Sequence, residues 1–471
     1  MPFYDTLSRY ANNIAVVEAC GTKITYAELE RFADELFTKM NRRCLVFCLC
    51  ENSLGSLVGY VACLRHRAVP LLLAKDLDPD LLRSLLELYQ PEFLYVPVGL
   101  ADRFNELETV YSRFGYALVK TQFASYDPLH EELALLLTTS GSTGSPKLVR
   151  QSYANISSNA AAIATYLELT ETERPITTLA MSYTYGLSII NSHLLVGATL
   201  LVTSKTLVEK EFWDFFKAQG ATSFGGVPYT YEILKKLRFF RMNLPSLRTM
   251  TQAGGKLTPE LTREIAEFAV SRNIRFIVMY GQTEATARMG YLPHQKSLEK
   301  CGSMGIAIPG GQFELIDVDG QMIDGPDTVG ELVYAGPNVT LGYAERREDL
   351  AKGDEFGGIL VTGDMAMRDR DGFYFITGRK KRFLKIFGNR VNLDETERLI
   401  KARFEGLDCA CAGRDDRMTV FITHADLSKE IQDYLAQKTG LNSVAFLLKT
   451  VARIPKNEAG KTLYVELEKL I

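Results

Sequence analysis

The sequence predicts an α/β protein with a large N-terminal domain of helix-covered β-sheets, which ends in a small β-rich subdomain and is followed by a small α+β domain. Three observations support this prediction. Strand-like and helix-like apolar patterns alternate through the first 300 residues. After about Lys300, glycines become dense and short strand-like alternations follow one another. A basic run at 379–382 then precedes roughly 90 further residues, which are enough for a small domain.

Each element of the N-terminal part follows from its own spacing. Leu29, Phe32 and Leu36 recur at helical spacing, which predicts a helix over 25–40. The apolar run 44–50 predicts a buried strand. The same reasoning predicts helices over 55–67, 155–167 and 209–219, and strands over 69–73, 133–137, 176–181, 199–202 and 276–279. This alternation favours sheets that are covered by helices.

The last part of the chain divides into two predicted regions. In the β-rich subdomain, strands are predicted over 313–318, 330–334 and 372–376, and Asp-Gly pairs favour hairpin turns at 319–320, 324–325 and 371–372. Beyond it, the pattern predicts helices over 394–404 and 428–437 and a strand over 418–423. We place a domain boundary at Lys381. The predicted domains are therefore 1–381, with about 300–381 as the β-rich subdomain, and 382–471.

The composition is that of an ordinary globular protein. Apolar residues make up 46% of the chain, and a net charge of -3 gives no electrostatic reason to bind nucleic acid or an anionic membrane. The apolar segment 187–202 is interrupted by polar residues and is too short to span a bilayer. The first residues lack a signal-peptide pattern. The eight cysteines show no Cys-x-x-Cys spacing, which would indicate a zinc site or a redox pair, so we expect reduced thiols. The sequence predicts a cytoplasmic protein without membrane insertion.

The most informative segment is the loop 136–147, at the end of the predicted strand 133–137. It contains two glycines, six hydroxyl side chains, a proline and Lys147. Backbone N–H groups, hydroxyls and a cation at a strand end are the groups that hold a polyphosphate. The spacing is not that of a P-loop, because the fifth position after Gly141 is Pro146 instead of glycine. The alternative interpretation is a Ser/Gly-rich surface turn.

Four later clusters could carry chemistry, although each alone also has a structural explanation. The segment Tyr280-Gly-Gln-Thr-Glu284 offers an aromatic face for a base and a carboxylate for Mg²⁺. Asp364, at the end of a Thr-Gly-Asp segment, could accept both hydroxyls of a ribose. The segment 378–381 is basic, and Lys461 follows a turn near the end of the sequence. The pair Gly342-Tyr343 is interpreted as structural.

In this order, the motifs resemble those of the adenylate-forming superfamily, which includes acyl-CoA synthetases, peptide-synthetase adenylation domains and luciferases. Its Thr-Ser-Gly-Ser/Thr-Thr-Gly-x-Pro-Lys motif matches 139–147, and its Tyr-Gly-x-Thr-Glu motif matches 280–284. Its Thr-Gly-Asp matches 362–364, its Gly-Arg-x-Lys/Asp hinge matches 378–381, and its late catalytic lysine matches Lys461. The resemblance implies that a hinge at Lys381 joins the large domain to a mobile C-terminal domain.

The resemblance also implies a role for each matching residue. Lys461 would bridge the substrate carboxylate and the α-phosphate, Thr283 would touch the α-phosphate, and Glu284 would bind Mg²⁺. Asp364 and Arg379 would hold the ribose. The nucleotide-binding set implied in this way comprises Thr139, Ser140, Gly141, Ser142, Thr143, Gly144, Lys147, Gly255, Lys256, Tyr280, Gly281, Gln282, Thr283, Asp364 and Arg379.

A second set of residues is implied for the acid and the thiol. The acid-binding residues would be Tyr183, Thr184, Val227, Ala253, Gly254 and Arg288, and Arg390 would face the incoming phosphopantetheine. Thr184 falls where amino-acid-activating domains carry an aspartate for the substrate ammonium. Threonine cannot supply that charge, so we expect an acyl or aryl acid without an α-ammonium group. The alternative for Tyr183 is a core aromatic side chain.

The function implied by the resemblance is an AMP-forming acid–thiol ligase. It would use ATP and Mg²⁺ to form an acyl-adenylate, release pyrophosphate, and transfer the acyl or aryl group to a thiol. The acceptor would be CoA or the phosphopantetheine of a carrier protein, which we expect to be a separate chain. The alternative is a nucleotide-binding regulatory module of the same fold with impaired catalysis.

Overall fold

The computed structural model describes residues 2–104, 106–123, 128–138, 147–386, 389–414, 416–439, 441–457 and 460–471. The chain divides into two compact units. The first comprises Met1–Gln312 and Ala335–Leu360, and the second comprises Phe313–Tyr334 and Val361–Ile471. The predicted α/β class is confirmed. The boundary at Lys381 lies inside the second unit and stays a prediction.

Among the described residues of the first unit, four helices begin within two residues of a predicted start, and five others were not predicted. Their bounds are α1 Tyr26–Met40, α2 Leu54–Arg65, α3 Pro79–Tyr89, α4 Val98–Ala101, α5 Tyr153–Tyr166, α6 Thr184–Leu195, α7 Lys210–Ala218, α8 Pro228–Lys236 and α9 Pro259–Ser271. A capping box starts α1: the Thr25 hydroxyl accepts from the Glu28 N–H at 3.2 Å, and the Glu28 carboxylate accepts from the Thr25 N–H at 2.8 Å. Among the described residues, no helix is long and apolar enough to cross a membrane.

An eight-stranded sheet forms the centre of the first unit. In spatial order its strands are β18 Gly342–Ala344, β9 Leu148–Ser152, β8 Leu133–Thr138, β4 Val69–Ala74, β3 Leu45–Cys50, β5 Phe93–Pro97, β7 Tyr116–Lys120 and β6 Glu108–Arg113. Every residue of β3 is buried, as its continuous apolar run predicts. Cys48 and Cys50 pack in one core cluster, whereas Phe47 packs in another on the opposite face. All eight cysteines are free thiols, as expected.

Two smaller sheets complete the first unit. One has the order β10 Leu200–Val202, β1 Ile14–Glu18 and β2 Lys23–Thr25; the other has the order β11 Ser223–Gly226, β12 Thr249–Gln252, β13 Arg275–Tyr280, β14 Gly290–Tyr291 and β15 Ile306–Ala307. The predicted strand over 176–181 is wrong, since in this segment only Ile176 makes a strand-like bridge. The chain turns immediately afterwards, where the Tyr183 N–H donates to the Ala180 carbonyl at 3.1 Å ahead of α6.

The second unit contains three small sheets and three α-helices within its described residues. The sheets are β16 Gln312–Ile316, β17 Val329–Ala335, β19 Ile359–Arg368 and β20 Tyr374–Arg379; β21 Phe383–Ile386 and β22 Asn389–Asn392; and β23 Cys409–Arg414, β24 Arg417–Ile422 and β25 Phe446–Thr450. The helices are α10 Leu393–Arg403, α11 Ser428–Thr439 and α12 Tyr464–Glu468. The turn at Gly372 joins β19 to β20, as predicted. Gly320 forms a tight turn between β16 and β17, and Gly325 lies later in that connection.

Candidate active site

The five-stranded sheet of the first unit brings ten of the predicted site residues to one edge. Strands β11, β12 and β13 are parallel, so their carboxyl ends meet at the same edge of the sheet. Val227 follows β11, residues 253–256 follow β12, and residues 281–288 follow β13. Ligands of α/β proteins usually bind at such an edge. The predicted adenine and acid residues of the first unit therefore share one region, and their individual roles stay predictions.

Gly254 lies against the predicted acid-binding residues. Its backbone has φ +82°, and a Cβ at this position would come within 2.7 Å of the Tyr183 hydroxyl and 3.0 Å of Val227. Val227 and Ala253 belong to a buried apolar cluster that Tyr183 packs against. Three residues that are distant in sequence thus form one apolar wall. A larger residue than glycine would not fit at position 254.

The loop after β13 contains a strained turn centred on Thr286. This residue has φ +65° and ψ -55°, and the Ala287 N–H donates to the Ala285 carbonyl at 2.7 Å, which defines a γ-turn with positive φ. Such a backbone is unfavourable for a β-branched residue. The Thr286 hydroxyl donates to the Asn338 carbonyl at 2.7 Å, and the Asn338 side chain donates to the Ala285 carbonyl at 2.8 Å. These bonds hold the turn in place.

Thr184, which was predicted to border the acid, contacts the same turn. Its hydroxyl donates to the Thr286 carbonyl. That carbonyl also accepts from Gln151 Nε2 at 3.3 Å, and Gln151 lies on β9, directly after the predicted phosphate loop. The turn is therefore linked to both α6 and β9. Gly281 completes the arrangement, because a Cβ there would lie only 1.7 Å from the Ala287 carbonyl oxygen.

Glu284 and Lys147 meet through Tyr343. The Tyr343 hydroxyl donates to Glu284 Oε1 at 2.9 Å, and Lys147 Nζ lies 3.6 Å from the centroid of the Tyr343 ring. Burial, and then the Glu284 carboxylate, raise the pKa of Tyr343 above its ordinary value, so its hydroxyl stays a donor. The interpretation of Gly342-Tyr343 as structural missed this contact. Residues 139–146, including six of the predicted phosphate-binding residues, lie outside the described residues.

Arg150 fixes the strand that carries Tyr343. Its side chain is fully buried, and it donates to the carbonyls of Tyr343 at 2.9 Å and Leu341 at 2.9 Å. It also donates to the carbonyl of Gly353 at 3.1 Å and pairs with the Glu355 carboxylate. One buried guanidinium therefore ties β9 to β18 and to the segment that follows it. An arginine two residues after a strand begins gives no sequence signal for this role.

Arg288 is buried near the apolar wall. Its Nε donates to the Ser188 hydroxyl at 3.1 Å, and its Nη1 donates to the Tyr166 hydroxyl at 3.0 Å. The guanidinium carbon lies 5.2 Å from the centroid of the Tyr185 ring. The structure thus places this predicted acid-binding residue beside α5 and α6.

In the second unit, the two predicted ribose-binding residues are neighbours. Asp364 on β19 pairs in register with Arg379 on β20, and Arg379 Nε lies 3.5 Å from Asp364 Oδ1. Asp364 is mostly buried, whereas the Arg379 side chain is exposed. Because the pair is antiparallel and directly opposite, one carboxylate and one guanidinium lie side by side.

The two neighbours of Lys381 bind different partners, although the Arg379 N–H also donates to Asp394 Oδ2 at 3.2 Å. Lys380 Nζ lies 2.6 Å from the buried Glu331 carboxylate of β17. Arg382, on the other side, donates to Asp394 at 2.7 Å and to the Cys411 carbonyl at 2.8 Å. Its guanidinium also bonds Glu397 Oε1 and lies 3.6 Å from the centroid of the Tyr464 ring, and the Tyr464 hydroxyl donates to Glu397 Oε2 at 3.0 Å. This set, Arg382 with Asp394, Glu397, Cys411 and Tyr464, is called the Arg382 network below.

Lys461 stands at the end of a tight turn. The Asn457 N–H donates to the Lys461 carbonyl at 2.9 Å, and the Lys461 N–H donates to Asn457 Oδ1 at 2.9 Å. Lys456 bridges to Thr462 across the turn. Three residues further on, Tyr464 enters the Arg382 network. Arg390 lies on β22, in register with Lys385 on β21.

An α/β fold whose candidate ligand-binding loops lie at the carboxyl edge of parallel strands is typical of nucleotide-binding enzymes. Residues 3–344 match the family model of the AMP-binding enzymes, and the chain belongs to this family. The resemblance found from the motifs is thereby confirmed. The phosphate-loop and Tyr-Gly-x-Thr-Glu motifs fall inside the matched region, whereas Asp364, Arg379 and Lys461 follow it.

The chain is similar to known CoA ligases. It is 28% identical over 361 residues to 4-coumarate–CoA ligase-like 2 of Arabidopsis thaliana, an alignment that covers 72% of this chain and 62% of that protein. It is 29% identical over 362 residues to peroxisomal OPC-8:0-CoA ligase 1 of the same organism, with 72% and 64% covered. The chain therefore spans less than two thirds of the length of these two curated relatives.

The fold is similar to that of a solved enzyme over nearly its whole length. The O-succinylbenzoate coenzyme A synthetase of Bacillus subtilis, in complex with AMP, superposes with a TM-score of 0.80 and 21% identity. The match covers 99% of this chain and 98% of that one. At this level of identity the likeness establishes the fold.

Proposed function

We propose that this protein activates a carboxylic acid with ATP and passes the acyl or aryl group to a thiol. The observation that carries the proposal is the contact of Tyr343 with both Glu284 and Lys147. It joins the carboxylate of one family motif to the lysine of another, although the two are far apart in sequence. The CoA-ligase names of the curated relatives support the same reaction class.

The first half-reaction joins two anions. A carboxylate oxygen attacks the α-phosphorus of ATP, the bond from that phosphorus to the bridging oxygen breaks, and pyrophosphate leaves with the electron pair. We infer that Lys461 lies between the carboxylate and the α-phosphate, where its ammonium offsets their repulsion. Thr283 would contact the α-phosphate. Lys147, with the loop 139–144, would hold the leaving pyrophosphate.

Glu284 suits a magnesium ion. Its carboxylate supplies hard oxygen ligands, and its orientation is fixed by the Tyr343 hydroxyl. Within the described residues there is no cluster of three or more His, Cys, Asp or Glu side chains that could hold a metal. Proteins often bind Mg²⁺ with one or two carboxylates together with substrate phosphates. When bound, the ion would neutralise charge on the phosphate oxygens.

The second half-reaction transfers the acyl group. A thiolate sulfur attacks the acyl carbonyl carbon of the adenylate, the bond from that carbon to the phosphate oxygen breaks, and AMP leaves with the electron pair. We propose that Lys381 is the hinge about which 382–471 turns between the two steps, and that Arg390 then faces the phosphopantetheine. Asp364 and Arg379 would hold the ribose. We also propose that the thiol acceptor is either CoA or the phosphopantetheine of a separate carrier protein. The proposed location is the cytoplasm.

The experiment separates the two half-reactions in a Lys461→Ala variant. Pyrophosphate exchange with a panel of straight-chain and aromatic acids should fall by about 10²–10³-fold, because one group that stabilises the transition state is lost. Thioester formation from a supplied acyl-adenylate and CoA should change little. Lys456→Ala is the matched control, since this lysine lies across the same turn and pairs with Asp408 at 2.6 Å. An equal loss of both half-reactions in Lys461→Ala would refute the role given to this lysine.

A further inference from the structure

Arg288 is a buried cation whose hydrogen-bond partners among the described residues are all neutral. Only 2% of the residue is exposed. Its hydrogen bonds go to the hydroxyls of Ser188 and Tyr166 and to the sulfur of Met279, at 3.0–3.2 Å. No carboxylate of the described residues lies within ion-pair distance of it, and its Nη2 has no hydrogen-bond partner among them. A guanidinium has five N–H donors, so part of its capacity is unused.

The other deeply buried arginines of the first unit each form an ion pair with a glutamate. Arg150, with a fully buried side chain, pairs with Glu355. Arg347, whose side chain is 4% exposed, pairs with Glu92 at 3.1 Å. Burying a charge without an opposite charge is strongly unfavourable, so proteins normally pair it. Arg288 departs from this rule, which indicates that its counter-charge comes from a ligand.

The surroundings of Arg288 indicate where that ligand would bind. Tyr185 and Met279, which contact the guanidinium, belong to the same buried cluster as Val227 and Ala253, the apolar wall of the predicted acid site. Ser188, its Nε partner, also lines a small cavity together with Thr184 and Ala287. A molecule that covers the apolar wall would thus place the end remote from its reacting carboxylate near the N–H donors of the Arg288 guanidinium.

We propose that Arg288 is a specificity-determining residue that binds a second anionic group of the acid, so that the favoured substrate is a dicarboxylic acid. This inference rests on the proposed acid-activating function. One carboxylate would react at the α-phosphate, and the other would pair with the guanidinium and supply the missing charge. The apolar wall between them would cover the carbon skeleton. An acid without the second anion would leave the buried guanidinium unpaired.

The test compares matched acids in pyrophosphate exchange. Succinate is set against butyrate, adipate against hexanoate, and isophthalate against benzoate, with wild type, Arg288→Met and Arg288→Lys. Wild type should favour one dicarboxylate over its monocarboxylate partner by about 10²-fold or more in kcat/KM, because a buried polar group left unpaired discriminates strongly. Arg288→Met should lose most of this preference through a higher KM for the dicarboxylate. Arg288→Lys, which keeps the charge but not the fork, should retain part of it.

Four outcomes separate the possibilities. Wild-type preference for monocarboxylates in every pair would overturn the inference, even if Arg288→Met fails to fold. A loss in Arg288→Met that is equal for both members of each pair would also overturn it, because the arginine would then act on the reacting carboxylate or on the fold. If none of the acids supports pyrophosphate exchange, the result would count against the proposed function itself. Exchange with monocarboxylates alone would leave that function standing and reject only the second anion.

Discussion

The Tyr343 hydroxyl donates a hydrogen bond to Glu284 Oε1 at 2.9 Å, across 59 residues of sequence. The same ring carries Lys147 on its face. A single side chain therefore sets the position of the candidate magnesium ligand relative to the candidate pyrophosphate-binding cation. The Tyr343 carbonyl in turn accepts from Arg150, so this arrangement continues into the buried core of the first unit.

Tyr343→Phe removes only the hydroxyl that orients Glu284. We expect the Mg²⁺ concentration for half-maximal pyrophosphate exchange to rise about 10-fold, since loss of a partner that orients a metal ligand typically costs 10–100-fold in affinity. The measurement is a magnesium titration of exchange. Tyr95→Phe is the control, because this residue of β5 in the central sheet also loses a buried hydroxyl bond, to the Gly55 carbonyl at 2.9 Å. Identical magnesium curves for wild type and Tyr343→Phe would contradict the assignment.

Two substitutions at Thr286 isolate the strain in the γ-turn. Both Thr286→Ala and Thr286→Gly lose the hydroxyl bond to the Asn338 carbonyl, but only glycine adopts φ +65° without steric cost. We expect the glycine variant to be more stable than the alanine variant by about 1 kcal/mol, which is the lower end of the usual strain at such positions. Urea denaturation of both variants measures the difference. Equal midpoints would show that Thr286 stores no strain.

Arg150→Met tests the anchor of the Tyr343 strand. The substitution leaves several buried carbonyls and the Glu355 carboxylate without their donor, so we expect a loss of about 3–5 kcal/mol in the free energy of unfolding. Arg83→Met is the control, because this arginine is 67% exposed and forms an ion pair with Asp80 within one helical turn. Its effect should stay within about 0.5 kcal/mol. Similar losses in the two variants would contradict the anchoring role of Arg150.

The lowered pKa of His193 leads to a prediction of how the free energy of unfolding depends on pH. Burial, opposed in part by a bond from Nδ1 to the Ile189 carbonyl, lowers its pKa to about 4 from 6.5. Between these values the unfolded chain binds a proton that the folded chain does not, so the free energy of unfolding falls as pH drops from about 6.5 to about 4. The contribution is on the order of 3 kcal/mol.

Denaturation at several pH values checks this prediction. His193→Gln should flatten the curve over the same window, because the substituted side chain does not titrate. His424→Gln is the control, since His424 is exposed on the second unit. A His193→Gln curve that runs parallel to wild type would show that other groups cause the acid sensitivity.

Local signals in the sequence predicted much of the fold. Thr25 and Glu28 indicate the start of α1, because a capping box requires these residue types at this spacing. The continuous apolar run of β3 likewise predicts a strand that is buried on both faces. The segment after Ile176 misled the prediction. Its pattern is strand-like, but the chain must turn there to begin α6.

The site was predictable as a set of motifs, whereas its internal contacts were not. Gly342-Tyr343 gives no local hint that its hydroxyl meets Glu284, since that contact depends on the pairing of β18 with β9. The turn at Thr286 opposes the intrinsic preference of a β-branched residue, so no propensity could indicate it. The unpaired charge of Arg288 likewise becomes visible only when all its neighbours are known.

The Arg382 network has a consequence for how the reaction would switch between its two steps. It links the residue directly after Lys381 to Tyr464, three positions beyond Lys461, while Lys380 is held on the other side by Glu331. Under the proposed function, a change in the backbone angles of Lys381 would turn Lys461 together with its surroundings as one piece. The packing around the lysine would stay intact, and the cost of switching would lie at the hinge, where the bond from the Arg379 N–H to Asp394 Oδ2 at 3.2 Å would have to break.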